Sequence, residues 1–137
     1  MHKNFTHNVK VYYEDTDAGG VVYYANYLKY LERARTEALS TIGLSNTKIR
    51  NNFGAFIIVK SCNIEYKKSA YLEDDLQIKS FIDFNSKTSF LMKQSIFKDE
   101  ELIVEARIHL VFINEIFKPV KIPEKILSEF KPYTSST

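Results

Sequence analysis

With 137 residues, 45% of them apolar, the chain can enclose one hydrophobic core and is too short for two ordinary ones, so residues 1–137 are expected to form a single domain. Nineteen Lys and Arg against 17 Asp and Glu leave a formal charge of +2, too little for a nucleic-acid footprint, so any anionic ligand must meet a local cluster. One cysteine, Cys62, allows neither an intrachain disulfide nor a zinc-type pair, and no apolar run suits a signal peptide or a bilayer, so a reducing, cytoplasmic setting is expected.

From Phe5 to Tyr13 the residues Phe5, His7, Val9, Val11 and Tyr13 share one face, the period of a half-buried strand. Asp15-Thr16-Asp17-Ala18-Gly19-Gly20 then breaks the pattern as a tight loop. Leu28, Leu31, Ala34, Ala38 and Ile42 recur at three- and four-residue steps and predict a helix over 26–42, with Gly43 as its C-terminal cap. The polar stretch 46–54 reads as a connection.

Four β-like segments follow, over 55–66, 75–84, 88–97 and 102–113. The breaks Asn85-Ser86-Lys87 and Lys98-Asp99-Glu100 are short and polar, which predicts an antiparallel meander. One face of that sheet needs a cover, and the helix at 26–42 is the long apolar element available. The expected fold is therefore α+β, a curved antiparallel sheet wrapped around one central helix. Pro123 to Phe130 predicts a short helix with Pro123 in its first turn, and Pro132 with the Ser-Thr tail is expected to fray.

Chemistry concentrates in Tyr13 to Tyr27. Asp15 and Asp17 lie on a glycine-bearing loop that leads into the helix, whose first amide N–H groups lack intrahelical partners. A carboxylate there can attack a thioester carbonyl or activate water while the helix N-terminus steadies the oxyanion. By spacing alone the favoured reading is that the two aspartates shape a turn and cap the helix. Two Asp with no nearby His or further carboxylate in a ligand pattern make a poor cation site, and no metal is expected.

The run Asp15-x-Asp17-x-x-Gly20-Val21-Val22-Tyr23-x-x-Asn26-Tyr27, followed by Glu32-Arg33-Ala34-Arg35-Thr36-Glu37, resembles the 4-hydroxybenzoyl-CoA thioesterase family, within it the YbgC-like branch associated with the Tol-Pal cell-envelope system. The likeness extends to Lys118-Pro119-Val120-Lys121-Ile122-Pro123 and covers nearly the whole chain. It implies a hotdog fold and an acyl-CoA thioester hydrolase with no cofactor, coenzyme A being part of the substrate. It also implies a homodimer or homotetramer with sites at subunit interfaces, an acyl carrier protein as a possible second thioester donor, and a peripheral link to envelope lipid metabolism.

Residue by residue, the resemblance puts the catalytic aspartate at Asp17 and the carbonyl-polarising backbone amide at Tyr24. Many YbgC-branch members carry His where this chain has Tyr24, whereas 4-hydroxybenzoyl-CoA enzymes can have Tyr. Lys87, in a turn with Ser86, Thr88 and Ser89, falls where coenzyme A phosphates are met, and a solvated hairpin lysine explains it as well. Ser61-Cys62-Asn63 falls near the thioester, and a buried strand of small residues would read the same. Cys62 has no nearby His and is not read as a nucleophile. His7 and His109 read as structural, and most of Tyr23, Tyr27, Tyr30 and Tyr71 as core, with an acyl groove as their other use. Two other functions fit the pattern: a hotdog hydratase or dehydratase, which generally needs a working His, and a non-catalytic acyl-binding or envelope scaffold, which needs neither Asp17 nor the glycines.

Overall fold

The computed structural model describes residues 1–135. Strands β1 (Phe5–Lys10), β2 (Phe56–Tyr66), β3 (Asp75–Asn85), β4 (Ser89–Lys98) and β5 (Glu101–Ile113) form one antiparallel sheet in the order β1-β3-β4-β5-β2. The β3-β4-β5 meander is the one the two polar breaks predict. At the second break Lys98 pairs with Glu101, and Asp99 and Glu100 between them have φ of 49° and 69°. Two left-handed central residues match the twist of the flanking strands, though neither is glycine.

Alternation sends Phe90, Met92, Gln94 and Ile96 of β4 and Val104, Ala106, Ile108, Leu110 and Phe112 of β5 to one buried face. Helix α1 (Tyr24–Thr41) covers that face with a stripe of Tyr27, Tyr30, Leu31, Ala34, Ala38 and Leu39. Truncating a fully buried member such as Leu31 to Ala would cost about 2–5 kcal/mol. Gln94 is polar in the middle of this core and fully satisfied: its amide donates to the Leu31 carbonyl and Ser80 Oγ, both at 3.1 Å, and its oxygen accepts from Arg35 at 2.9 Å. Leaving such a group unpaired would cost about 1–3 kcal/mol, so it ties α1 to one place on the sheet.

Helix α1 begins two residues before its predicted start. It ends as expected at Gly43, whose φ of 77° lets its N–H reach the Ser40 carbonyl while Leu44 N–H reaches Leu39. Leu28, assigned to the buried stripe by spacing, is 45% exposed.

Three expectations are corrected. Residues 46–54 are not a bare connection but hold helix α2 (Asn46–Phe53), capped by the Ser45 side chain, which accepts from Lys48 N–H, and closed by left-handed Gly54. The first strand stops at Lys10, because Tyr13–Asp15 curls into a single 3-10 turn whose Asp15 carboxylate accepts from Tyr12 N–H at 2.9 Å. Pro132 does not fray: its carbonyl accepts from Lys3 N–H at 2.8 Å, Tyr133 stacks on Phe5 at 3.8 Å, and Ser135 N–H reaches the Ile82 carbonyl. Ser136 and Thr137 of the predicted tail lie outside the described residues. Pro123 immediately precedes helix α3 (Glu124–Phe130).

Edge strand β2 is barely covered. Ile58 and Val59 are 40% and 48% exposed, and Ser61, Cys62, Asn63 and Tyr66 are exposed too. No helix among the described residues is long and apolar enough to cross a membrane.

Candidate active site

The loop between β1 and α1 is built by local hydrogen bonds. Asp17 N–H donates to the Val21 carbonyl and Gly20 N–H to the Asp17 carbonyl, both at 3.0 Å, while Thr16 pairs with Val22 as an isolated bridge. Gly20 sits at φ 76°, a conformation a side chain would resist. The Asp17 carboxylate is exposed; its Oδ1 accepts from Gly19 N–H at 2.9 Å, and no other side-chain hydrogen bond engages it among the described residues. Asp15 has the opposite fate. It is buried, and its backbone carbonyl collects Tyr23 N–H at 3.1 Å and the Asn26 side-chain amide at 2.7 Å.

Those two bonds fix the first turn of α1 against the loop. Tyr24 is its first residue, and no acceptor among the described residues engages the Tyr24 or Ala25 N–H. The Tyr24 ring lies 4.8 Å from that of Tyr66 at the end of β2, and Tyr66 lies 5.5 Å from Tyr27. Tyr27 and Tyr30 are core residues, and Tyr27 Oη accepts from Ala70 N–H at 2.9 Å, whereas Tyr23 and Tyr71 are exposed. Burial pushes the Tyr27, Tyr30 and Tyr66 phenols above their usual range, with Asp15 adding to the rise at Tyr30. These phenols therefore stay neutral.

The other predicted residues stand elsewhere in the chain. Lys87 is exposed in the β3–β4 turn, where its carbonyl accepts from Ile122 N–H. Ser89 is buried, its Oγ 2.8 Å from Ser86 Oγ and 3.0 Å from His109 Nε2. Ser61 pairs in register with His109, which alternates with inward Ile108 and Leu110, so Ser61, Ser89 and His109 share the face turned from α1. Lys87 and Ser89 lie at the end of the sheet opposite to the one carrying Tyr66 and the Asp17 loop, whereas Ser61 is midway along β2, five residues from Tyr66. The 11 residues of β2 separate the two ends by roughly 35 Å at ~3.3 Å per residue. One chain thus carries Asp17 on the loop that leads into the Tyr24 helix start and leaves Lys87 and Ser89 at the far end of the sheet, with Ser61 between.

Cys62 is exposed on β2; burial pushes its thiol up and the nearby Arg35 only partly offsets that, so little thiolate forms at neutral pH. Two features escaped sequence reading. A cleft of about 390 Å³ at the Asp17 end is lined by Lys68, Tyr71 and Lys98, whose ammonium groups already pair with Glu101 and Asp74. Asn26 also acts as the loop's buried clamp, a role that a polar residue in the first turn of an apolar helix could have signalled. Among the described residues no three His, Cys, Asp or Glu side chains gather as a metal site.

An antiparallel sheet wrapped on one long helix is the hotdog arrangement. Residues 11–130 match the model of the thioesterase-like superfamily, and the chain belongs to that family. It is similar to the acyl-CoA thioester hydrolase YbgC of Escherichia coli, 41% identical over 125 residues, 90% of this chain and 92% of that protein. Among solved structures, a probable thioesterase from Bartonella henselae superposes with a TM-score of 0.84 at 33% identity, over 88% of this chain and 99% of that one. A 4-hydroxybenzoyl CoA thioesterase shares the fold at TM-score 0.87 and 21% identity, over 93% and 99%. The chain is thus a YbgC-like hydrolase of that superfamily.

Proposed function

We propose that the chain hydrolyses acyl-CoA thioesters to the free acid and coenzyme A, with Asp17 as nucleophile or general base and the Tyr24 amide polarising the thioester carbonyl. The observation that carries this reading is the exposed Asp17 carboxylate beside a helix start whose Tyr24 N–H has no acceptor among the described residues. By direct attack, a carboxylate oxygen bonds to the thioester carbon, the thiolate departs, and water cleaves the resulting anhydride. By the other route Asp17 takes a proton from water as the water attacks. In both, negative charge grows on the carbonyl oxygen, where the amide N–H groups at the helix start are oriented to meet it. The reaction draws on no cofactor, and an acyl carrier protein thioester presents the same reacting group.

Lys87, Ser89 and Ser61 enter this reading as coenzyme A contacts supplied across a subunit boundary, since within one chain Lys87 and Ser89 lie at the far end of the sheet and Ser61 midway along β2. The assembly is a homodimer or homotetramer. Exposed Leu28, Ile58, Val59 and Tyr66 along α1 and β2 support a second copy against this side.

Release of free thiol from aromatic and aliphatic acyl-CoA esters tests the reaction. Wild type releases thiol, and Asp17→Asn loses most of that turnover while still folding and binding acyl-CoA. Turnover of Asp17→Asn within a few-fold of wild type would overturn the mechanism. A fully active monomer at micromolar concentration in sedimentation would overturn the assembly.

A further inference from the structure

The stripe that α1 buries carries two phenols, Tyr27 and Tyr30, and their hydroxyls fare differently. Tyr27 Oη accepts from Ala70 N–H, and the Ala70 carbonyl in turn accepts from Val22 N–H at 2.9 Å, which ties that phenol to the loop after Asp17. Tyr30 Oη has no such partner. Among the described residues it is the one buried side-chain nitrogen or oxygen without a hydrogen bond. A hydroxyl taken from water and left unpaired destabilises the fold, and phenylalanine would fill the same space without that cost. An orphan of this kind in a native core calls for a cause.

Tyr30 follows Asn26 by four residues on the same face of α1, and helical side chains lean towards the N-terminus, so its ring reaches back towards the point where Asn26 grips the Asp15 carbonyl. Burial first, and then the Asp15 carboxylate beside it, raise the Tyr30 phenol above its usual range. That carboxylate is buried as well. Its Oδ2 accepts from Tyr12 N–H at 2.9 Å, and no other hydrogen bond or ion pair engages it among the described residues. A buried donor without an acceptor thus stands beside a buried carboxylate with an oxygen to spare.

We propose that Tyr30 is a positioning residue for Asp17: when a thioester engages the site, the Tyr30 hydroxyl closes onto the spare Asp15 oxygen and draws the loop against the start of α1. The Asp15 carbonyl is already fixed by Tyr23 N–H and Asn26, so a pull on its carboxylate turns the loop about that point. Asp17, two residues on and hydrogen-bonded within the loop to Val21 and Gly20, follows. An O–H to carboxylate bond is short and strong enough to bias a loop between two settings. The hydroxyl that destabilises the free chain therefore stabilises the engaged one. This inference rests on the role given to Asp17 and adds the group that sets its place.

Tyr30→Phe in the full chain tests it, with melting temperature, kcat and KM measured on one acyl-CoA substrate. Deleting an unbonded hydroxyl leaves the melting temperature unchanged or raises it by up to roughly 3 °C. In the same variant kcat falls about tenfold, as a misplaced carboxylate gives, while KM stays within about twofold. In an Asp15→Ala background, where the acceptor is gone, adding Tyr30→Phe costs no further turnover. Should Asp15→Ala not fold, the split between melting temperature and kcat in the single variant still decides the matter. Wild-type kcat in Tyr30→Phe, a melting temperature that falls together with kcat, or losses that multiply in the double variant would overturn the inference. The reading of Asp17 fails separately: turnover by Asp17→Asn near wild type sinks that reading, whereas an inactive Asp17→Asn beside a fully active Tyr30→Phe sinks only the role of Tyr30.

Discussion

The side-chain amide of Asn26 donates to the backbone carbonyl of Asp15 at 2.7 Å, so the first turn of α1 and the loop before it move as one piece. Asn26→Ala removes that bond but leaves the carbonyl its Tyr23 N–H. The expected cost is about 1 kcal/mol, or roughly 3 °C in melting temperature. Turnover should fall further, about 10- to 100-fold, because Asp17 and the Tyr24 amide lose their fixed relation. Scanning fluorimetry beside a thiol-release assay checks both, and a destabilised variant with wild-type turnover would break the link.

The two aspartates should separate cleanly. In Asp17→Asn the amide oxygen still accepts from Gly19 N–H, so the melting temperature stays near wild type while thiol release collapses. Asp15→Ala strands Tyr12 N–H and empties a buried position, costing about 1–3 kcal/mol. Asp15→Asn keeps an acceptor there and costs less. Tyr24→Phe should be mild, because the expected donor is the backbone N–H, whereas loss of an oxyanion donor costs ~10²–10³ in turnover. Melting curves and turnover measured on all four variants give the comparison.

Lys87→Ala should raise KM for acyl-CoA with little change in kcat, as for a phosphate contact remote from the reacting carbon. The effect should shrink with an acyl-pantetheine, which lacks the nucleotide. Equal losses on both substrates would assign Lys87 another role.

At the β4–β5 turn, Glu100 holds φ 69° with a side chain that disfavours it. Glu100→Gly should stabilise the chain by about 1 kcal/mol and raise its melting temperature by roughly 3 °C, with turnover unchanged. A lower melting temperature would show that the Glu100 side chain contributes more than its backbone strain costs.

What the sequence disclosed follows from where side-chain pattern and burial agree. The β3-β4-β5 meander was legible because inward residues alternate without interruption from Phe90 to Ile96 and from Val104 to Phe112. Helix α2 was missed because Ile49 alone is buried in it, although Ser45 and Gly54 carried its start and stop signals. Leu28 misled because a three-residue step from Leu31 fits a helical stripe, while the buried stripe is set by Tyr27 and Tyr30. The turn after Lys10 was hidden because Val11 and Tyr13 continue the strand period, whereas Val11 N–H leaves the sheet ladder for the Asp74 carbonyl. In the candidate site, Asp17 and Tyr24 are seven residues apart, on the loop and on the helix start it leads into, so their placement could be read along the chain. A cavity beneath Arg35 gathers residues from β1, α1, α2, β2, β3, β4, β5 and α3, and no local pattern announces it.

The contact of Lys3 with Pro132, reinforced by the Phe5–Tyr133 stack, places early and late segments of the chain side by side. Chain order is therefore separable from architecture. A short linker joining these segments, with new ends opened at Asp99 and Glu100, should rebuild the same sheet from a circularly permuted gene. Such a permutant would bring α1 and β2 into the chain after β5, making it a direct probe of whether the meander has to be synthesised last for the helix to find its face.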